Sequence, residues 1–139
     1  MYTIMMNRDK SLTKTIVRTI YKGENLVDTI VFLIPKIYGD VNLAQLEVEL
    51  TYTDPQSGDH AEPLRLIDTD YKNDWLRFHL PVDTKLTQYS GDIIIRLQFS
   101  DVSKDGANRS VVLLTGTTKV TIRDPKGSSS GDRPFEGNV

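Results

Sequence analysis

The sequence predicts an all-β fold: an antiparallel β-sandwich, Ig-like or jelly-roll-like, of about seven to eight strands, followed by a flexible carboxy-terminal tail. Three observations predict it. Apolar and polar residues alternate at period two in several short runs, the pattern of a strand with one buried face, because successive side chains point to opposite sides of a sheet. Turn clusters (NRDKS, YKGEN, YGDVN, DPQSGDH, DTDYKN, QYSGD and SKDGAN) punctuate the chain every ten residues or so. Helical periodicity is not sustained anywhere beyond about two turns.

Along the chain, YTIMM at 2–6 and TIVRTIY at 15–21 are the first strand candidates. VDTIVFLIP, ending at Pro35, has no alternation at its centre, so Val31 and Leu33 are expected to face one layer and Ile30, Phe32 and Ile34 the other. That describes a central strand covered on both sides. In AQLEVELTYT, Leu46, Val48, Leu50 and Tyr52 share a face opposite Glu47, Glu49 and Thr51. The spacing of Leu43, Leu46 and Leu50 also fits one helix face, but the β-branched and aromatic content favours a strand. PLRLI at 63–67 is a further short strand, and DWLRFHL turns Leu76, Phe78 and Leu80 inward. VDTKLTQYSG allows one short turn whose Leu86 and Tyr89 plug an end of the sandwich. GDIIIRLQF places Ile93, Ile95, Leu97 and Phe99 inward, and SVVLLTGTTKVTI at 110–122 closes the domain with Gly116 bending it.

A chain of 139 residues is enough for one domain of about 100 to 150 residues plus a tail. The domain is placed at 1–123. From 124 to 139, DPKGSSSGDRPFEGNV turns to Gly, Ser, Pro and charge, which bury too little apolar area to offset the entropy of ordering them. Phe135 is the one large apolar residue before the terminal valine and the candidate anchor of that tail on a partner. A net charge of −2 gives no general attraction for nucleic acid or anionic lipid, so neither is expected as a partner. The longest apolar run, IVFLIP, is far short of the roughly 20 residues of a spanning helix, and the first residues lack the pattern of a secretory signal.

Chemistry is sparse. With no cysteine there is no disulfide, thiolate nucleophile or cysteine-bound zinc. His60 and His79 are the only histidines, too few for a zinc site of ordinary make-up. DTDYKND falls short of a calcium loop: Lys72 takes a ligand position, Asn73 replaces the turn glycine and His79 stands where the bidentate Glu belongs. Neither G-x-S-x-G, S-x-x-K nor a glycine-rich phosphate loop occurs. Glu47 and Glu49 share a strand face, but a solvated sheet surface accounts for them. No enzyme, no metal and no cofactor is expected. Trp75 lies outside the inward set Leu76, Phe78 and Leu80, and with Tyr71 beside it offers either an interface anchor or a stacking surface for a host glycan. Burial under the 68–74 turn is the alternative.

The stretch LPVDTKLTQYSGDIIIRLQFSD, with the closing LTGTTKVTI and the opening KSLTKTIVRTIYKGENLVDTIVFLIP, resembles the amino-terminal β-sandwich domain of phage baseplate upper proteins and related tail proteins. Gly91, Ile93, Ile95, Leu97 and Phe99 carry the first part of the likeness and Thr115, Val120 and Ile122 the second. The resemblance covers about residues 1 to 122 and transfers no catalytic or ligand residue. It implies a structural virion protein, made in the host cytoplasm, that forms homo-oligomers and docks on other virion structural proteins. Head decoration, a connector or adaptor role, and a carbohydrate-binding module for attachment to the host surface are the alternatives.

Overall fold

The computed structural model describes residues 1–102 and 106–126. The expected tail from 127 onward, with Phe135, lies outside them. The strands are β1 (Tyr2–Met6), β2 (Leu12–Ile16), β3 (Ile20–Tyr21), β4 (Thr29–Pro35), β5 (Ile37–Tyr38), β6 (Val41–Asn42), β7 (Glu47–Thr53), β8 (Asp59–Pro63), β9 (Arg65–Tyr71), β10 (Trp75–Pro81), β11 (Gly91–Val102), β12 (Arg109–Leu114) and β13 (Thr118–Arg123). A five-stranded sheet has the order β2-β1-β4-β10-β9; a six-stranded sheet has the order β3-β13-β11-β7-β8, with β12 also on β11. They are called here the β4 sheet and the β11 sheet. Most pairings are antiparallel, as expected, but β1 runs parallel to β4 and β3 parallel to β13.

The inward alternations expected from the sequence meet in one core. Val48, Leu50 and Tyr52 of β7 and Ile93, Ile95, Leu97 and Phe99 of β11 are buried together with Ile30, Phe32 and Ile34 of β4 and Leu76, Phe78 and Leu80 of β10. Each large apolar side chain removed from water in this way contributes about 1.5–3 kcal/mol before chain entropy is subtracted. Leu43, in the short 3-10 turn Leu43–Gln45, is fully buried at an end of this core, and the Asn42 side chain caps the turn by accepting from the Ala44 amide. At 82–90, Asp83 accepts from the Lys85 and Leu86 amides and the turn drives Leu86 into the core, while Tyr89 stays half-buried.

Several segments differ from the sequence reading, PLRLI among them, since Pro63 ends β8 and Leu64 separates it from β9. TIVRTIY is two strands: β2 starts earlier, at Leu12, and lies on the β4 sheet, whereas Ile20–Tyr21 belongs to the β11 sheet. Ile16 and Val17 are joined to Ile20 and Tyr21 by Arg18 and Thr19 with no glycine, proline or turn residue between, so the run looked continuous. SVVLLTGTTKVTI is also two strands, each on a different half of β11. The break falls at Thr115–Gly116: Thr115 Oγ1 accepts from the Leu97 amide, and the Gly116 amide turns away to the Lys10 carbonyl. DPQSGDH yields its last two residues to β8, and DTDYKN narrows to a turn at Lys72 and Asn73, both with positive φ (50° and 73°). The connection is the three-residue turn Lys72, Asn73 and Asp74, and Tyr71 pairs directly with Trp75, so β9 continues to Tyr71. Gly91 opens β11 at φ 124°, and a Cβ there would meet Pro55 at 3.0 Å, so both the conformation and the space require glycine.

Candidate interaction face

β10 alternates strictly, so burying Leu76, Phe78 and Leu80 forces Trp75, Arg77 and His79 onto the outer side of the β4 sheet. The ladder aligns these with the neighbouring strands in rows. One row is Ile16, Thr3, Val31, His79 and Arg65; the next is Thr13, Met5, Leu33, Arg77 and Asp68; the last is Pro35, Trp75 and Tyr71. Residues opposed in this way have Cβ atoms about 5 Å apart and pack on one another. The face is therefore apolar over β1 and β4 and turns cationic and aromatic over β10 and β9. Its centre is nearly dry with no covering element among the described residues: Val31 is 5% exposed and Thr3 8%.

The polar groups on this face are not matched. Arg77 Nε and His79 Nε2 are buried and have no hydrogen-bond partner. Among the described residues no ion pair takes in Arg65 or Arg77, although Lys36–Asp70, Lys85–Glu62, Arg109–Glu47 and Lys119–Asp92 all form elsewhere. Asp68 opposes Arg77 across the ladder, but its carboxylate accepts from the Asp70 amide. The Arg77 guanidinium instead lies 5.2 Å from the centre of the Tyr71 ring, and the Lys72 ammonium lies 5.4 Å from it. Burial, followed by the charges of Arg77 and Arg65, holds the His79 imidazole below its ordinary 6.5. An orphaned buried donor or acceptor costs about 1–3 kcal/mol, a cost removed once a partner supplies the missing atom.

Of the residues singled out in the sequence, Tyr71 and Trp75 are brought together as direct cross-strand neighbours, both half-buried, on the β9–β10 hairpin. Phe135 lies outside the described residues. Sequence reasoning missed Arg77, Arg65 and the apolar pair Val31 and Leu33 as members of the same surface. The signal was present in part, because Trp75, Arg77 and His79 alternate with Leu76, Phe78 and Leu80 in the sequence, and β4 is apolar at its outward positions as well as its inward ones.

A second cluster sits at the edge of the β11 sheet. His60 Nε2 is 2.7 Å from Asp54 Oδ2, and the His60 ring stacks on Tyr52 at 4.8 Å. Tyr52 and His60, with Thr51, Thr53, Asp59, Arg96 and Thr117, line an open cleft of about 290 Å³. Asp54 Oδ1 accepts from the Gln56 and Gly58 amides, so both carboxylate oxygens are engaged in forming the turn. The His60 hydrogen bond, then the Gly58 amide, hold the Asp54 carboxyl below its ordinary value. Burial, with Glu62, Asp83 and Asp54 nearby, pushes the Tyr52 phenol up to about 12, which keeps it protonated and non-nucleophilic. Among the described residues no three His, Asp or Glu side chains come together as metal ligands. The arrangement is that of a pinned turn.

No family model matches the chain, and no curated protein matches it by sequence. Its fold is similar to that of a solved structure, the N-terminal domain of ORF48 of phage TP901-1, with a TM-score of 0.56 over 87% of this chain and 94% of that one. The two are 12% identical, so the likeness is one of fold.

Proposed function

We propose that this chain is a structural component of a bacteriophage virion, a β-sandwich that docks on other tail or baseplate proteins through the outer face of the β4 sheet and assembles with copies of itself. The observation that carries the reading is the orphaned pair Arg77 Nε and His79 Nε2 in a face whose centre is already almost dry. A solvated sheet face has no reason to leave such groups unmatched. A docked surface with apolar contacts and a carboxylate supplies both the missing area and the missing acceptor. The likeness in fold to a phage domain provides the setting. Head decoration or a connector role would use the same face with a different neighbour.

Mass spectrometry of purified particles from the virus that encodes the chain tests the proposal directly. Many copies per particle are expected, and absence from the particle overturns it. The carbohydrate reading of Tyr71 and Trp75 has less support, because the Tyr71 ring already engages two cations. Tryptophan fluorescence unmoved by host wall polysaccharide is the expected result; a saturable change would favour glycan attachment instead.

A further inference from the structure

We infer that the free edge of β12 is a pairing site for a second copy of this chain, joining two β11 sheets through an antiparallel β12–β12 ladder. The inference deepens the self-assembly part of the proposed function and rests on an observation independent of the docking face. An edge strand presents unpaired backbone donors and acceptors, and proteins that stay single blunt such edges with charge, proline, bulges or brevity. The edges of this molecule differ in that respect. β2 carries Lys14 among exposed residues; β8 reads Asp59-His60-Ala61-Glu62-Pro63; β9 carries Arg65, Asp68 and Asp70 and is bulged against β10; β3 has only two residues.

β12 has little of this protection. Beyond Arg109 the strand is Ser110, Val111, Val112, Leu113 and Leu114, with no charge, proline or glycine. It pairs on one side with β11, and among the described residues no strand pairs with its other side. Leu113 is spent on the core at 6% exposure, while Val111, Val112 and Leu114 stand 53%, 44% and 42% exposed. β12 does carry one irregularity, a bulge of its own: the register steps from Phe99–Leu113 to Ser100–Val111, leaving Val112 as an extra residue without a partner on β11. Its one charged residue, Arg109, is turned to Glu47 at 3.1 Å.

The occupant follows from complementarity. An incoming strand must offer a ladder of backbone groups and apolar side chains facing Val111, Val112 and Leu114. Of the edges this chain possesses, β2, β8 and β9 would set ammonium or carboxylate groups against those valines. A second β12 sets valine and leucine against their like, and a two-fold axis gives each copy the same contacts. Six residues provide a ladder of about 20 Å.

Sedimentation velocity of the full chain across a concentration series is the test, alongside Val112→Lys and, as a second exposed edge variant, Val111→Lys. The unsubstituted chain is expected to sediment as a dimer. Either lysine is expected to weaken dimerisation at least about tenfold, with an unchanged circular dichroism spectrum, because a charge at a pairing edge must be desolvated. Amide exchange is expected to slow in β12 of the dimer and to speed up in the variant. A chain that is monomeric throughout, or a dimer that both lysine variants leave intact, overturns the inference. Neither result touches the docking face, which is read separately by incorporation of an Arg77→Glu chain into particles, and that variant is expected to dimerise normally.

Discussion

The two outer faces of this sandwich share a core and differ in almost everything else. On the β11 sheet the outward positions are Glu49, Thr51 and Thr53 of β7, Asp92, Ile94, Arg96 and Gln98 of β11, and Lys119 and Thr121 of β13. Several of their polar groups are paired: Thr121 Oγ1 donates to Asp92, Lys119 lies 3.9 Å from the same carboxylate, and Arg96 Nε donates to the Thr115 carbonyl, while in β11 the Ser100 hydroxyl is buried without a partner among the described residues. On the β4 sheet the outward positions are Thr3, Met5, Val31, Leu33, Trp75, Arg77 and His79, and there two buried nitrogens have no partner. The contrast is one of degree: two buried ring and guanidinium nitrogens without a partner on the β4 sheet against one buried hydroxyl in β11. Two outer faces of one sandwich thus differ both in exposure and in hydrogen-bond satisfaction, and hydropathy alone does not capture the second difference.

The largest effect separates both faces from the core they cover. Phe32 is fully buried between Val31 and Leu33, so Phe32→Ala removes core packing without altering either surface. A loss of about 3–5 kcal/mol in unfolding free energy is expected by chemical denaturation. A loss below about 1 kcal/mol would mean that the sheets are not packed on each other there.

The next effect divides the faces by docking. Arg65→Glu with Arg77→Glu is expected to reduce incorporation into particles by about tenfold or more, since reversed charge meets the partner's carboxylates. Arg96→Glu, on the β11 sheet, is expected to leave it unchanged. Equal loss from both substitutions would mean that net charge, and not this face, governs assembly.

The inward sets were legible in the sequence because period two ties a buried face to every second residue: Val48, Leu50 and Tyr52, or Ile93 through Phe99, need no partner to be recognised. The central place of β4 in its sheet was legible from the loss of alternation at Val31–Leu33, but the second covering layer expected there is not present among the described residues: Val31 and Leu33 lie on the outer face. Which strand each run pairs with was not legible. Residues 12–21 and 109–123 read as unbroken β-prone runs while switching sheet or breaking at Thr115, because ladder hydrogen bonds are made by backbone that every residue shares. Tyr71 and Trp75 stood out as large aromatics at a turn. Arg77 and His79 did not, since what distinguishes them is a missing partner, a property of the surroundings and not of the residue.

A smaller contrast comes from exchanging polarity between the faces. Val31→Thr puts a hydroxyl into a nearly dry position of the β4 sheet and is expected to cost about 1–2 kcal/mol of stability in the isolated chain. Thr51→Val makes the opposite exchange on the half-exposed β11 face and is expected to stay within about 0.5 kcal/mol of neutral. Equal costs in denaturant titrations would show that the two faces are solvated alike.

The smallest effect, and the one that sharpens the contrast furthest, is that of pH. The folded His79 holds its proton less tightly than the ordinary 6.5, chiefly through burial and then through Arg77 and Arg65. The unfolded chain therefore binds more protons as pH falls through 6.5, so the stability that neutral His79 contributes is complete above that value and is lost on the way down through the lowered one. The thermal midpoint of the isolated chain is expected to fall between pH 7.5 and 5, and His79→Gln to flatten that fall. Asp9 and Asp54, held below 3.8, lose their own contribution only at lower pH and do not mask it. Docking should respond with the opposite sign. A partner carboxylate beside Arg77 and His79 favours the imidazolium, so binding to particles stripped of the chain is expected to tighten over the same interval in which the free chain loses stability. Binding that weakens on acidification, or that tightens equally in His79→Gln, would place the partner's acidic groups away from His79 and leave the orphaned nitrogens of this face unexplained.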